Sequence, residues 1–129
     1  MVVDSSAVVA ILLEEPGFLA LVDAMVAAED PTVSAATLVE CSIVMAARLG
    51  PVGAERVDEL LSEAGVRVMA VDARQAVAAR DAWHRFGKGR HPAALNFGDC
   101  FSYALAVTTE RPLLFRGDDF ARTDVLTAL

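Results

Sequence analysis

Short apolar runs that end in acidic residues give this chain the pattern of an α/β fold. The chain opens with Met1-Val2-Val3, which ends in Asp4, and a second apolar run follows from Ala7 to Leu13. The first run is typical of a buried strand, and the second of a helix that packs on the same sheet. Asp4 is therefore expected at the carboxyl end of a central strand, which is the edge where open α/β sheets bind ligands.

The spacing of apolar positions in the rest of the chain predicts alternating helices and strands. Predicted helices cover Phe18–Ala28, Ala35–Leu49, Gly53–Ala64, a segment opened by a capping box of Asp72 and Gln75, and Asn96–Ala106. Predicted strands are Thr32–Val33, Val66–Val71 and Pro112–Phe115, with Thr123–Leu129 as a final edge element. Such alternation favours a parallel sheet covered by helices.

Length and composition fit one compact domain over residues 1–129. Hydrophobic residues make up 55% of the chain, which is enough for a sizeable core. No apolar stretch approaches the ~18 residues of a membrane span, and Asp4 interrupts the N-terminal run before a signal-peptide pattern can develop. We therefore expect a soluble cytoplasmic protein without a membrane segment.

The cysteines and histidines do not have the spacing of a zinc site. Cys41 and Cys100 lie in apolar helical segments, where a thiol behaves as a small hydrophobic group, and no disulfide is expected. His84 and His91 are too isolated to predict zinc binding or paired-imidazole catalysis.

Four acidic positions stand out because each lies at a strand end or on an apolar helix. They are Asp4, Glu40 in the helix Ala35–Leu49, Asp99 in the first turn of the next long helix, and Asp118 beside Asp119. A buried Glu40 requires a partner, either an arginine or a cation in the crevice near Asp4. Asp99 has a simple alternative role, since the helix dipole favours a carboxylate there. Convergence of all four acids at one edge explains them together.

Such a cluster of carboxylates predicts a divalent cation. Carboxylates ~4 Å apart repel by ~4 kcal/mol per pair at an effective dielectric of about 20, and a bound cation relieves this repulsion. Ligands that are all oxygen favour Mg²⁺ or Mn²⁺ over zinc. An ion of this kind activates water and orients a phosphodiester for hydrolysis.

The only basic cluster of this acidic chain lies in the segment from Phe86 to Leu95 and at its border. The net charge of −7 means that a polyanionic substrate needs a local basic strip or a metal. Lys88 and Arg90, with Arg85 and His91 beside them, provide such a strip. The segment is either an ordinary solvated loop or a flexible basic lip that holds phosphates.

Four motifs together resemble the PIN-domain ribonucleases, and specifically the VapC toxins of bacterial toxin–antitoxin pairs. The motifs are Val3-Asp4-Ser5-Ser6, the Glu40 helix, Leu95-Asn96-Phe97-Gly98-Asp99-Cys100-Phe101-Ser102-Tyr103-Ala104-Leu105-Ala106 and Leu114-Phe115-Arg116-Gly117-Asp118-Asp119-Phe120. The resemblance implies a three-layer α/β/α fold with a central five-stranded parallel sheet and a Mg²⁺- or Mn²⁺-dependent endoribonuclease. It also implies an RNA substrate, a homodimer, and a cognate antitoxin that forms a hetero-oligomer with the toxin.

The resemblance also assigns roles to residues. Asp4, Glu40 and Asp99 match the three core acids of the family, with Asp4 and Asp99 as metal ligands, and Ser6 matches a supporting polar residue. The family often has Gly-Asn-Asp-Phe where this chain has Gly117-Asp118-Asp119-Phe120. Asp118 is the predicted fourth acid, and Asp119 is kept as a helix cap or substitute.

Two other functions stay open at this point. A phosphatase with an aspartyl nucleophile on a similar fold usually has a second Asp two residues after the first, where this chain has Ser6. A catalytically silent PIN-like interaction module would use the acids only as caps and ion-pair partners. Binding of Mn²⁺ distinguishes a nuclease from the silent module.

Overall fold

A computed structural model describes residues 1–129 as a four-stranded sheet with six α-helices and one short 3-10 helix. The strands are β1 (Val2–Val3), β2 (Thr32–Ser34), β3 (Arg67–Met69) and β4 (Leu113–Leu114). The helices are α1 (Ser5–Leu12), α2 (Phe18–Ala27), α3 (Ala35–Leu49), α4 (Val52–Glu63), α5 (Ala73–Phe86) and α6 (Phe97–Thr109), and the 3-10 helix is Phe120–Arg122. None of the helices combines the length and apolar character needed to cross a membrane.

The sheet is parallel and has the strand order β3-β2-β1-β4. Alternate residues of β1 point to opposite faces of the sheet. Val2 belongs to a core formed mainly with α5 and α6, whereas Val3 belongs to a second core formed with α1 to α4. Helices therefore cover both faces, as a parallel sheet requires. The predicted three-layer arrangement is confirmed, and Asp4 follows a central strand.

The expected fifth strand does not form. The C-terminal segment Thr123–Leu129 pairs with β4 at a single bridge between Leu113 and Thr127. Leu113 donates a backbone hydrogen bond to Leu126 (2.8 Å) and accepts one from Ala128 (3.0 Å), and the pairing ends there. Because β4 has only two residues, a neighbouring strand cannot form a longer ladder of hydrogen bonds with it.

Polar side chains start the helices as predicted. The Asp72 carboxylate accepts a hydrogen bond from the backbone N–H of Gln75 (2.8 Å) at the start of α5. The Ser34 hydroxyl accepts one from the backbone N–H of Ala36 (3.3 Å) at the start of α3. These caps satisfy N–H groups that have no partner within the helix.

An arginine cluster holds the edge of the sheet opposite to Asp4. Asp30, just before β2, accepts hydrogen bonds from Arg67 (2.9 and 2.8 Å) and from Arg111 (2.6 Å). Hydrogen bonds from the two guanidinium groups hold the pKa of Asp30 well below its usual range. The cluster joins the residues that begin β2, β3 and β4.

Candidate active site

Asp4 is a buried carboxylate with one committed oxygen and one free oxygen. It caps α1 and is only 1% exposed. Its Oδ2 accepts hydrogen bonds from the backbone N–H (2.9 Å) and the hydroxyl (2.6 Å) of Ser6. Its Oδ1 is buried and has no hydrogen-bond partner. An unpaired buried oxygen is costly, so this atom is suited to a ligand.

Ser6 connects Asp4 to the segment that follows β4. While its hydroxyl donates to Asp4, the same oxygen accepts a hydrogen bond from the backbone N–H of Arg116 (2.9 Å). The hydroxyl therefore fixes the carboxylate and also the start of the turn that carries Asp118 and Asp119. Ser6 supports the site by positioning two of its parts.

Glu40 lies at the middle of α3 with its carboxylate against the first turn of α6. A Cβ atom added to Gly98 would overlap both carboxylate oxygens of Glu40, so the side chain occupies the space that this glycine leaves. Glu40 makes no ion pair, and its Oε2 is buried without a partner. The alternative of a salt bridge to an arginine is therefore wrong.

The environment of Glu40 raises the pKa of its carboxyl group. Burial is the main cause that raises the pKa of Glu40, and the charge of Asp4 adds to it. The Ser5 hydroxyl acts in the opposite direction. The charge of Asp4 therefore acts on Glu40, and each carboxylate has one buried oxygen without a partner.

Asp99 serves as a helix cap with one oxygen and faces the other acids. Its Oδ2 accepts a hydrogen bond from the backbone N–H of Asn96 (2.7 Å), and its own N–H donates to the Asn96 side chain (3.0 Å). Burial raises the pKa of Asp99 to about 6, against the effect of the Asn96 N–H. The charges of Asp4, Glu40 and Asp119 contribute to this shift in the same direction. Capping therefore explains only part of its environment.

The turn after β4 brings Asp119, rather than Asp118, into electrostatic contact with Asp99. Both residues are exposed, and the turn passes through Gly117 at a φ of +100°. Buried Phe120 packs on Phe115 with ring centroids 5.3 Å apart and anchors the turn. Asp119 is among the charges that raise the pKa of Asp99, and Asp118 is not. Asp118 stays the predicted fourth acid, and Asp119 is the alternative whose charge acts on Asp99.

A buried pair of hydroxyls sets the spacing of the two helices that carry Glu40 and Asp99. Thr37 and Ser102 are fully buried and hydrogen-bonded to each other at 3.0 Å. Thr37 lies three residues before Glu40, and Ser102 lies three residues after Asp99, so each hydroxyl is about one helical turn from its acid. Sequence reasoning did not identify Thr37, Ser102 or the contact of Gly98, because all of these depend on how α3 crosses α6. The available signal was a glycine directly before Asp99.

A family comparison agrees with this arrangement. The model of the PIN domain matches residues 1–126. The chain belongs to the PIN domain family. A ribonuclease VapC of Mycolicibacterium smegmatis is 52% identical over 127 residues, which cover 97% of each chain. The predicted resemblance to VapC ribonucleases is therefore confirmed.

Solved structures share the fold of this PIN domain. Mycobacterium tuberculosis VapC20, described as a sarcin-ricin loop cleaving toxin, aligns with a TM-score of 0.77 at 17% identity and covers 97% of this chain and 95% of its own. A toxin–antitoxin complex from Klebsiella pneumoniae aligns with a TM-score of 0.71 at 17% identity, with 99% and 97% covered. At these identities the likeness concerns the fold.

The basic segment of this PIN domain is held in place rather than loose. Its ends pair at a bridge between Gly87 and Leu95, where Lys88 N–H donates to Leu95 (2.9 Å) and Leu95 N–H donates to Phe86 (2.9 Å). Ala93 and Leu95 are fully buried. The segment is therefore anchored at both ends and leads directly into α6.

Only part of the basic cluster is available to a ligand. The Arg85 guanidinium donates to Asp124 (2.6 Å) and to the Tyr103 hydroxyl (3.2 Å). Lys88 and Arg90 are exposed and make no ion pair. These two residues keep the predicted capacity to meet phosphates.

The donor atoms of the crevice suit a hard divalent cation. Asp4 Oδ1 and Glu40 Oε2 are buried oxygens without partners, and Asp99 lies beside them. No three His, Cys, Asp or Glu side chains are arranged to hold one ion together. Mg²⁺ commonly uses one or two carboxylates and keeps several waters, so the residues fit this ion. Cys41 and Cys100 are free thiols, as expected.

Proposed function

We propose that this protein is a Mg²⁺- or Mn²⁺-dependent endoribonuclease and the toxin of a bacterial toxin–antitoxin pair. The observation that carries the proposal is the pair of buried, unpartnered carboxylate oxygens of Asp4 and Glu40 beside Asp99. They lie where the strand β1 ends, which is where ligands bind in open α/β sheets. The names of similar ribonucleases support the choice of RNA as the substrate.

The acids have different roles in this proposal. Asp4 and Asp99 hold the metal ion, and Ser6 keeps Asp4 in position. Glu40 accepts the proton of the attacking water, because a carboxylate with a raised pKa is a better base than an ordinary one. Asp118 is the fourth acid, and Asp119 is the alternative, because its charge acts on Asp99. Lys88 and Arg90 contact RNA phosphates.

The reaction is hydrolysis of a phosphodiester. A bound Mg²⁺ or Mn²⁺ ion lowers the pKa of water and neutralises charge on the phosphate. The carboxylate of Glu40 removes a proton from the water that attacks phosphorus, the bond from phosphorus to the leaving oxygen breaks, and the leaving oxygen takes up a proton from solvent. Asp4 and Asp99 orient the reacting groups from one side of the crevice.

The proposed partners are an antitoxin and a second copy of the chain, in the cytoplasm. The fold neighbour that is a toxin–antitoxin complex supports the antitoxin. A groove of about 350 Å³ between α2 and the end of β4 is lined by Leu21, Phe115 and Leu129 and reaches Gly117 beside the acidic turn. An antitoxin segment fits this groove. The homodimer is proposed from the resemblance to the family alone.

Two readouts test the proposal. Mn²⁺ should raise the melting temperature of the wild-type protein and should have a much smaller effect on Asp99→Asn, since that variant keeps its cap but loses a charged ligand. Purified protein should cleave RNA with Mn²⁺ and not with EDTA, and Asp99→Asn and Glu40→Gln should be folded and inactive. Sequencing of RNA ends after controlled expression identifies the cleavage site.

The two alternatives make different forecasts. A silent module shows no stabilisation by Mn²⁺ and no cleavage. A phosphatase releases phosphate from a monoester and needs a proton donor two residues after Asp4. The Ser6 hydroxyl at that place is already bound to Asp4 and to Arg116, which favours the nuclease.

A further inference from the structure

A hollow between α5 and α6 lies next to the acidic crevice and has no role so far. Its volume is about 390 Å³. We call it the α5–α6 hollow. It is lined by Ala76, Ala79, Arg80, Trp83, Phe97, Cys100 and Phe101. Three of these side chains are aromatic and one is a cation, which is an unusual combination for a surface hollow on an acidic protein.

Phe97 forms an exposed wall of the α5–α6 hollow. Its side chain is 78% exposed, more than any other large hydrophobic residue of the chain. Phe101 holds the ring in an edge-to-face arrangement, with centroids 4.9 Å apart and an interplanar angle of 79°. An aromatic ring that is fixed at its edge and exposed on a face is a platform for stacking.

Phe97 and Phe101 line both the α5–α6 hollow and a neighbouring hollow that Glu40 also lines. In the sequence, Phe97 lies between Asn96 and Gly98. The Asn96 side chain accepts a hydrogen bond from the Asp99 N–H, and Gly98 lies against the Glu40 carboxylate. Cys100, on the floor of the hollow, directly follows Asp99. Phe97 therefore lies between the α5–α6 hollow and the hollow at Glu40.

Arg80 gives the α5–α6 hollow a positive rim. It is exposed and makes neither an ion pair nor a hydrogen bond within the chain. In a chain of net charge −7, a free arginine beside aromatic rings is complementary to a ligand with both a planar ring and a negative charge. Unpaired RNA bases stack on aromatic side chains while their phosphates meet arginine.

We propose that the α5–α6 hollow binds an unpaired nucleobase of the RNA, adjacent to the phosphate that is cleaved. The base stacks on Phe97, and Arg80 contacts a neighbouring phosphate. This inference rests on the proposed ribonuclease function and adds a subsite that selects single-stranded RNA. Stacking tolerates every base, so the subsite senses an unpaired base more than its identity.

The single tryptophan of the chain, Trp83, lines the α5–α6 hollow and is a built-in reporter. The metal-free protein in EDTA, which cannot cleave RNA on the proposed mechanism, is titrated with a single-stranded oligoribonucleotide. Tryptophan fluorescence should be quenched, and an oligonucleotide with an abasic position at the contact should quench less. Phe97→Ala and Phe97→Leu should each weaken binding by roughly 5- to 150-fold, since both remove the stacking face.

Matched variants separate the subsite from general surface effects. Arg80→Ala should weaken binding and lower its salt dependence, whereas Arg74→Ala, an exposed arginine on the same helix outside the hollow, should change neither. Leu19→Ala is the control for loss of an exposed apolar side chain, since Leu19 is 64% exposed on α2. Circular dichroism melting checks that each variant is folded.

Specific outcomes would overturn the proposal. Equal affinity of the wild type and both Phe97 variants would exclude stacking at this site. Fluorescence that changes with protein concentration and not with oligonucleotide would show that a second copy covers the hollow. Cleavage is scored separately with Mn²⁺: quenching without cleavage contradicts the nuclease, and cleavage without Phe97-dependent quenching contradicts only the subsite.

Discussion

At the scale of single residues, the contact between Gly98 and Glu40 couples helix packing to chemistry. Gly98 lies in the first turn of α6, and the Glu40 carboxylate occupies the position where a Cβ atom would be. Any side chain at position 98 therefore pushes the carboxylate out of the crevice. The helix itself accepts alanine there, because the backbone of Gly98 has no positive φ.

We predict that Gly98→Ala separates stability from activity. Alanine should leave the free energy of unfolding unchanged or raise it by up to about 1 kcal/mol, because it has the higher helix propensity. Cleavage and stabilisation by Mn²⁺ should both fall at least tenfold, since Glu40 is displaced. Denaturant titration and a cleavage assay measure the two effects.

Gly53→Ala is the contrasting control. A Cβ atom at Gly53 would meet the backbone carbonyl of Met45, where α3 and α4 cross. Backbone cannot yield as a flexible carboxylate can, so this variant should lose stability by about 1–3 kcal/mol, the usual range for overpacking. Wild-type cleavage by a folded Gly98→Ala protein would contradict the role of the contact.

Asp99 predicts a pH dependence of stability. Burial raises the pKa of Asp99 from its ordinary value of 3.8 to about 6 in the folded protein. A carboxyl group with a raised folded pKa adds stability that is complete below the unfolded pKa and is lost as pH rises through the folded pKa. In EDTA the free energy of unfolding should therefore fall between pH 4 and pH 7, by roughly 3 kcal/mol at most. Asp99→Asn should show a flatter profile, and equal slopes for the two proteins would refute the assignment.

Single residues also show where sequence reasoning stops. The positions of Asp4, Glu40 and Asp99 could be predicted because each interrupts an apolar pattern. The choice between Asp118 and Asp119 could not, since it depends on the direction of a turn that buried Phe120 anchors. The pairing of Thr37 with Ser102 joins residues 65 positions apart, and no local pattern encodes it.

At the scale of elements, the prediction was accurate where caps and helical spacing coincide. The bounds of α3 match the prediction, because Ser34 caps its start and Gly50 ends it. The fifth strand was wrong, because an extended apolar C-terminus does not reveal how many partner residues β4 offers. The sequence left the basic segment open as a solvated loop or a flexible lip for a related reason: its glycines are visible in the sequence, whereas its closing bridge from Gly87 to Leu95 is not.

The basic segment leads to a prediction about substrate binding. Replacing Lys88 and Arg90 together by alanine should raise KM for RNA and flatten its salt dependence, because two phosphate contacts are lost. Stability should change little, since both side chains are exposed and unpaired. Replacing Arg85 is the contrast: it is bound to Asp124 and Tyr103, so its loss should affect stability more than KM. A KM that stays constant across a salt titration of the double variant would make the loop an ordinary solvated one.

At the scale of the whole molecule, charge is divided between the two edges of the sheet. Arg67 and Arg111 neutralise Asp30 at the edge where the strands begin. The acids at the opposite edge have no cationic partner in the chain, and two of their oxygens are buried and unpaired. The carboxylate of Asp30 is therefore neutralised within the chain, whereas the carboxylates at the other edge have no cation to balance them. A metal or an external cation can relieve that edge.

The last prediction concerns the antitoxin, which we expect to supply such a cation. Its tail should lie in the groove between α2 and β4 and place an arginine among Asp4, Glu40, Asp99 and the acidic turn, in competition with metal. Arginine suits this site because its planar fork donates two parallel hydrogen bonds to a carboxylate, whereas lysine acts as a point charge. Inhibition of cleavage by a peptide from the partner's C-terminal half should weaken as Mg²⁺ is raised and when that arginine becomes alanine, with lysine intermediate. Inhibition that is insensitive to both changes would mean that the peptide only blocks access of RNA, because a steric block does not depend on which side chain reaches the acids.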